Sequence, residues 1–147
     1  MNKTIALSMA VLAGLTACSS NVPVEPVSPV EVLNNIHAWN GRDVTVEGWL
    51  GVCKGYDCRI FPTLADAIAV KSSEPSSKEW MAAFDRGLGI GSALNFDELA
   101  APLQFHKVQI SGRISDVCRG LHSGCLDRAP DIQPSAIGLA DLYKKEK

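Results

Sequence analysis

The chain carries one seven-residue pattern twice, and no other feature restricts its fold as tightly. Val44-Thr45-Val46-Glu47-Gly48-Trp49-Leu50 and Val108-Gln109-Ile110-Ser111-Gly112-Arg113-Ile114 each alternate apolar with polar residues, and each puts a glycine on the apolar phase at its fifth position. Alternation with a period of two marks a strand with one buried face. A glycine on that buried phase marks a place where the strand bends sharply or a second backbone comes close. The copies lie far apart in 147 residues, a length that suits one domain with its own core. They predict the walls of a small curled β-barrel.

The remaining segments fill in an order. Ser28 as N-cap, Pro29 at the first helical position and Glu31 as the capping-box acid predict a short helix through Ile36 and Trp39, stopped at Asn40-Gly41. His37 beside its apolar stripe reads as a surface or partly buried histidine. The first strand runs from Asp43 to Cys53, a turn-like loop follows over 54–57, Cys58 to Phe61 forms a second strand, and Ala67 to Lys71 a third. Ser76 with Glu79 predicts a helix over about 77–86 with Gly87 as its C-terminal cap, while the glycine and serine breaks of 88–94 leave that stretch unassigned. Asn95 with Glu98 caps a further helical turn before Pro102. The fourth strand is Lys107 to Ser115, a long polar loop covers 116–134, and the last strand is Ala136 to Leu142. A leading helix, three strands, a helical insertion and two strands is the layout of the OB-fold, a mainly β, five-stranded Greek-key barrel in which strands one and four pair antiparallel.

The N-terminal segment speaks to compartment. Lys3, the apolar run from Ile5 to Leu15 and the small residues before Cys18 have the layout of a secretory signal too short for a comfortable transmembrane helix. Leu15-Thr16-Ala17-Cys18 resembles a bacterial lipobox. The resemblance implies cleavage after residue 17, a diacylglycerol thioether and an acyl chain on Cys18, and, through Ser19, sorting to the outer membrane with the domain in the periplasm. The alternative is an ordinary secreted protein in which Cys18 is incidental. Residues 18–27, with two prolines, read as the lipidated cysteine and an extended tether, and residues 28–147 as the OB-fold domain. Without Lys3, the one charged residue of the signal, the formal charge of −2 becomes −3. A slightly acidic chain lacks the field that bulk nucleic-acid binding needs.

The segment Gly41 to Gly48, the later Val108 to Ile114 strand, and the run from Cys118-Arg119-Gly120 through Cys125 to Asp131 resemble bacterial envelope OB-fold domains, a group labelled nucleic-acid-binding-like by fold alone. That resemblance supplies no catalytic residues to carry over, and fold does not fix function.

With Cys18 acylated, Cys53, Cys58, Cys118 and Cys125 remain, an even number that allows three disulfide connectivities. Antiparallel pairing of strands one and four sends Cys53 and Cys118 apart, which favours Cys53–Cys58 and Cys118–Cys125. A four-thiolate zinc site lacks the usual short spacings, and no redox CxxC is present. The two stapled loops flank the face on strands two and three where OB-folds usually take ligands. They offer Lys54, Tyr56, Arg59, Phe61 and Lys71 on one side and Arg119, His122 and Arg128 on the other. If Ile60, Ile68 and Val70 point inward, Arg59, Phe61 and Lys71 point outward by alternation. The alternative is that these are solvated loops whose disulfides only hold a small domain together. Asp57, Asp127 and Asp131 do not form a twelve-residue calcium loop. His122 beside Ser123 is not a triad, and no phosphate loop or metalloprotease helix appears, so the sequence predicts neither catalysis nor a cofactor. Its expectation is a non-catalytic binder of a periplasmic protein or an anionic glycan such as peptidoglycan or lipopolysaccharide. The competing readings are an inhibitor of a lysozyme-like hydrolase, a nucleic-acid binder and a purely structural envelope component.

Overall fold

The structure is a computed structural model that describes residues 25–54, 57–91, 95–117 and 129–143. In chain order its elements are α1 (Pro29–Asn34), α2 (Ile36–Trp39), β1 (Asp43–Leu50), β2 (Arg59–Phe61), α3 (Leu64–Ser72), α4 (Lys78–Phe84), β3 (Leu88–Ile90), α5 (Phe96–Ala100), a 3-10 turn (Ala101–Leu103), β4 (Lys107–Ser115), β5 (Asp131–Leu139) and α6 (Ala140–Tyr143). The five strands close a barrel in the order β1-β2-β3-β5-β4, antiparallel throughout except for the parallel pair β3–β5. This is an OB-fold-like barrel, as the element order predicted.

The doubled pattern forms one wall. β1 and β4 pair antiparallel with Val44 opposite Gly112, Val46 opposite Ile110 and Gly48 opposite Val108. Val44, Val46, Leu50, Val108, Ile110 and Ile114 join Ile60, Leu88, Ile90 and Ile132 in the barrel core. The polar phase makes a ladder on the outer face: Arg113 donates to both Asp43 oxygens at 3.1 and 2.8 Å, Thr45 and Ser111 hydroxyls meet at 2.9 Å, and Gln109 donates to Glu47 at 2.9 Å. Cross-strand pairs of this kind fix register. Both inward glycines are close approaches. A Cβ at Gly48 would lie 2.6 Å from the Phe61 carbonyl oxygen, and one at Gly112 would overlap the Gln133 carbonyl, beside the bulge at Ser111/Gly112.

At the start of the domain Ser28 Oγ accepts from the Glu31 N–H at 3.2 Å, the predicted cap, but the helix breaks at Asn35 into α1 and α2. Val27, expected in the tether, pairs in parallel with Val46: its N–H donates to Thr45 O and its carbonyl accepts from Glu47 N, each at 2.9 Å. It takes the part of the β1 edge that short β2 leaves open.

The third strand is not where alternation placed it. Residues 67–71 lie in helix α3, because Thr63 and Asp66 form a reciprocal N-cap and Ala65, Ala67 and Ala69 are strong helix formers. The true third strand is Leu88–Ile90, inside the stretch left unassigned. Its apparent breaks are the outward positions of a Gly87-Leu88-Gly89-Ile90-Gly91 alternation. Helix α4 is capped by Ser77, one residue after the predicted cap, with Ser77 Oγ accepting from Trp80 N at 3.2 Å. β5 begins at Asp131, earlier than predicted, and accommodates Pro134 beside the bulge, and the chain turns helical at Ala140.

Candidate functional site

The loop between β1 and β2 is closed by the Cys53–Cys58 disulfide, one of the two bridges expected, and both cysteines belong to the core. Below it the Gly51 N–H donates to Arg59 O at 2.9 Å, so the loop rises from a hydrogen-bonded base. Lys54 is exposed on this loop. Tyr56, Cys118, Arg119, His122, Cys125 and Arg128, with the second expected bridge, lie outside the described residues, as does Cys18.

The two β2 residues assigned to an outward platform do point outward, yet neither is on display. Phe61 is 1% exposed. A Cβ at Gly51 would lie 2.6 Å from its ring and one at Gly87 2.5 Å, so these residues form a slot that only glycine leaves open. Phe61, Ala67 and Ala83 are buried outside the barrel cluster, in a small second core between the outer face of β2 and the α3–α4 pair. Because α3 is a helix outside the barrel, Ile68 does not face the core as alternation required; it is 46% exposed.

Arg59 is half-buried under α4. Its guanidinium lies 3.7 Å from the centre of the Phe84 ring, Phe84 stacks on Trp80 at 4.4 Å, and Arg59 Nη1 donates to Gly87 O at 2.8 Å. Its Nε is buried without a hydrogen-bond partner. Burial lowers the Arg59 pKa to about 10 against the opposing pull of Asp57 and Asp85. Arg59 therefore fastens the protein's own helix rather than presenting a free cation.

A second fastening joins the ends of the hairpin. Arg86, just past α4, pairs with Asp66 in the first turn of α3, and Thr63 Oγ1 donates to the other Asp66 oxygen at 2.8 Å. Burial pushes the Asp66 carboxyl up, but the hydrogen bonds from Arg86 and Thr63 and the Arg86 charge outweigh it, leaving the pKa below its ordinary value.

Around the barrel, Arg59 pairs with Gly89, Gly89 with Asp131 and Asp131 with Ser115. This row joins the start of β2, just after the disulfide, to the end of β4 and the start of β5. Asp131, 1% exposed, accepts from Gln133 Nε2 at 2.7 Å. No group of three or more metal-ligating side chains occurs among the described residues, and none of their helices is long and apolar enough to cross a membrane.

Lys71 sits on α3 rather than on a strand, exposed, with its Nζ 4.8 Å from the centre of the Phe105 ring. Phe105 escaped the sequence reading. It holds φ +62°, a conformation that costs a bulky side chain, while its N–H donates to Leu50 O at 2.8 Å and the next carbonyl, of His106, accepts from Leu50 N at 3.1 Å. Nothing in the sequence marks a phenylalanine for that conformation.

Comparison with protein-family models, curated proteins and solved structures finds no match for this chain.

Proposed function

We propose that this protein is a lipid-anchored component of the bacterial envelope whose barrel is a non-catalytic binding module for a periplasmic protein or an anionic glycan. The observation that supports this best is how the outer surface is divided. The face of β2 that would lie under a stacked ligand is filled by α3 and α4, while the loop beside it is closed by the Cys53–Cys58 bridge. A covalently closed loop has less conformational entropy to lose when a partner engages it. A covered Phe61 removes the side chain on which a base would have stacked, so the nucleic-acid reading loses support along with its electrostatics.

The anchor and the binding role are tested separately. In cell fractionation the wild type should travel with outer membranes and Cys18→Ala with the soluble or inner-membrane fraction; equal distribution of the two would remove the anchor. Binding is tested by crosslinking in living cells with mass spectrometry, beside co-sedimentation with purified sacculi. A protein that forms no crosslinks and stays in the supernatant is not a binding module.

A further inference from the structure

With the outer face of β2 covered, a cation-and-aromatic surface lies open at the end of β1. Trp49 lies directly opposite Lys107, and Phe105 and His106 bracket the next residue, Leu50, through two backbone hydrogen bonds. Lys71 reaches over the Phe105 ring from α3. Trp49 and Phe105 are half-buried, and His106 and Lys71 are exposed. Lys107 shares its charge with Glu47, whereas Lys71 has no carboxylate partner among the described residues.

From this geometry we infer that the rim formed by Trp49, Lys71, Phe105, His106 and Lys107 binds a glycan that carries carboxylate or phosphate groups. The inference rests on the binding-module reading and gives it a ligand class and a place. An aromatic ring has an electron-rich face that takes the C–H face of a pyranose, and an ammonium group beside it takes the anionic substituent. Two half-buried rings with lysines beside them meet both demands, and a local cation is what a net-acidic protein needs to receive an anion. The conformation of Phe105 is the independent sign. Glycine is the residue of least cost at φ +62°, so the Phe105 ring is placed at the rim against a backbone cost. The backbone pairing with Leu50 holds that ring at the rim.

The test is a titration of the isotope-labelled mature chain, followed by NMR, with two probes used separately: peptidoglycan fragments released from purified sacculi, and lipopolysaccharide core oligosaccharide. At least one should bind saturably and move the amide resonances of Trp49, Lys71, Phe105 and His106; which one does so identifies the source of the anion. Lys71→Glu should weaken binding about tenfold, the effect of losing one well-placed contact, while Lys78→Glu, an equal charge change on exposed α4 surface, should alter it less than about twofold. Phe105→Gly separates ligand contact from structure: it should weaken binding at least about fivefold with the barrel still folded and the amide spectrum away from the rim unchanged, because relief of the backbone offsets part of the lost ring burial and added chain entropy. Equal losses for Lys71→Glu and Lys78→Glu, or full affinity in Phe105→Gly, would overturn the site. If neither probe binds while crosslinking captures a protein, the glycan assignment falls and the binding module stands; if neither occurs, both fall.

Discussion

Gly48 and Gly112 were the most legible residues in the chain, and their role follows from where they sit. An apolar phase with a glycine in it says that something other than a side chain must fit there, and in both strands that something is a neighbouring carbonyl. Gly48→Ala and Gly112→Ala should each destabilise the barrel by about 2–3 kcal/mol through forced backbone shifts, read as a lower urea midpoint at unchanged slope. Phe105 is the opposite case, since its backbone conformation is imposed by the pairing of 105–106 with Leu50 and leaves no trace in local sequence. Asp66 also hid its role, because its partner Arg86 is twenty residues away. Its folded pKa is depressed, so its contribution is complete above the unfolded value near 3.8 and fades as pH falls through the lower folded value. Urea midpoints between about pH 5 and pH 2 should fall more steeply for the wild type than for Asp66→Asn; parallel profiles would show that the pair contributes nothing.

At the scale of elements, β1 and β4 were readable because each buries one face along its whole length, which leaves alternation intact. β2 and β3 were not, for two different reasons. Phe61 on β2 is buried on the outer side by helices that period-two reasoning assigns to solvent, and the outward positions of β3 are glycines, which look like loop. Residues 67–71 show alternation defeated by capping: the Thr63–Asp66 box outweighs an apolar repeat only five residues long. The hairpin α3–α4 then depends on Arg59 in a particular way. The stack on Phe84 and the bond to Gly87 favour the contact, while the buried charge and the unpaired Nε oppose it. Arg59→Met should therefore leave stability within about 1 kcal/mol of the wild type, the outcome common when a buried charge gives way to an apolar side chain of similar volume. A loss above about 3 kcal/mol would mean that the cation is essential to the hairpin. The Cys53–Cys58 bridge closes a short loop, so replacing both cysteines by alanine should cost only about 2 kcal/mol and leave the barrel folded, with faster amide exchange confined to 51–58.

For the whole molecule, the barrel has one wall with two finished surfaces, apolar within and a polar ladder without, and a second wall, β2 and β3, that depends on helices from between those strands to cover it. That division explains why the OB-like order could be read from the sequence although one strand was misplaced: the long strands β1, β4 and β5 and their antiparallel pairing make most of the wall, and the short β2 and β3 fill the gap. It also explains why the candidate surface moved. Alternation alone placed Arg59 and Phe61 outside, and tertiary packing covered them, leaving the rim at the end of β1.

The Val27 bridge gives this arrangement a mechanical character. Val27 lies parallel to β1 and holds it by two hydrogen bonds from a single residue. A pull on the preceding chain along that direction loads both bonds together, in shear, and passes into β1, which is paired with β4 along most of its length, before it reaches α1. A force arriving from the N-terminal side thus enters the wall that the doubled pattern builds.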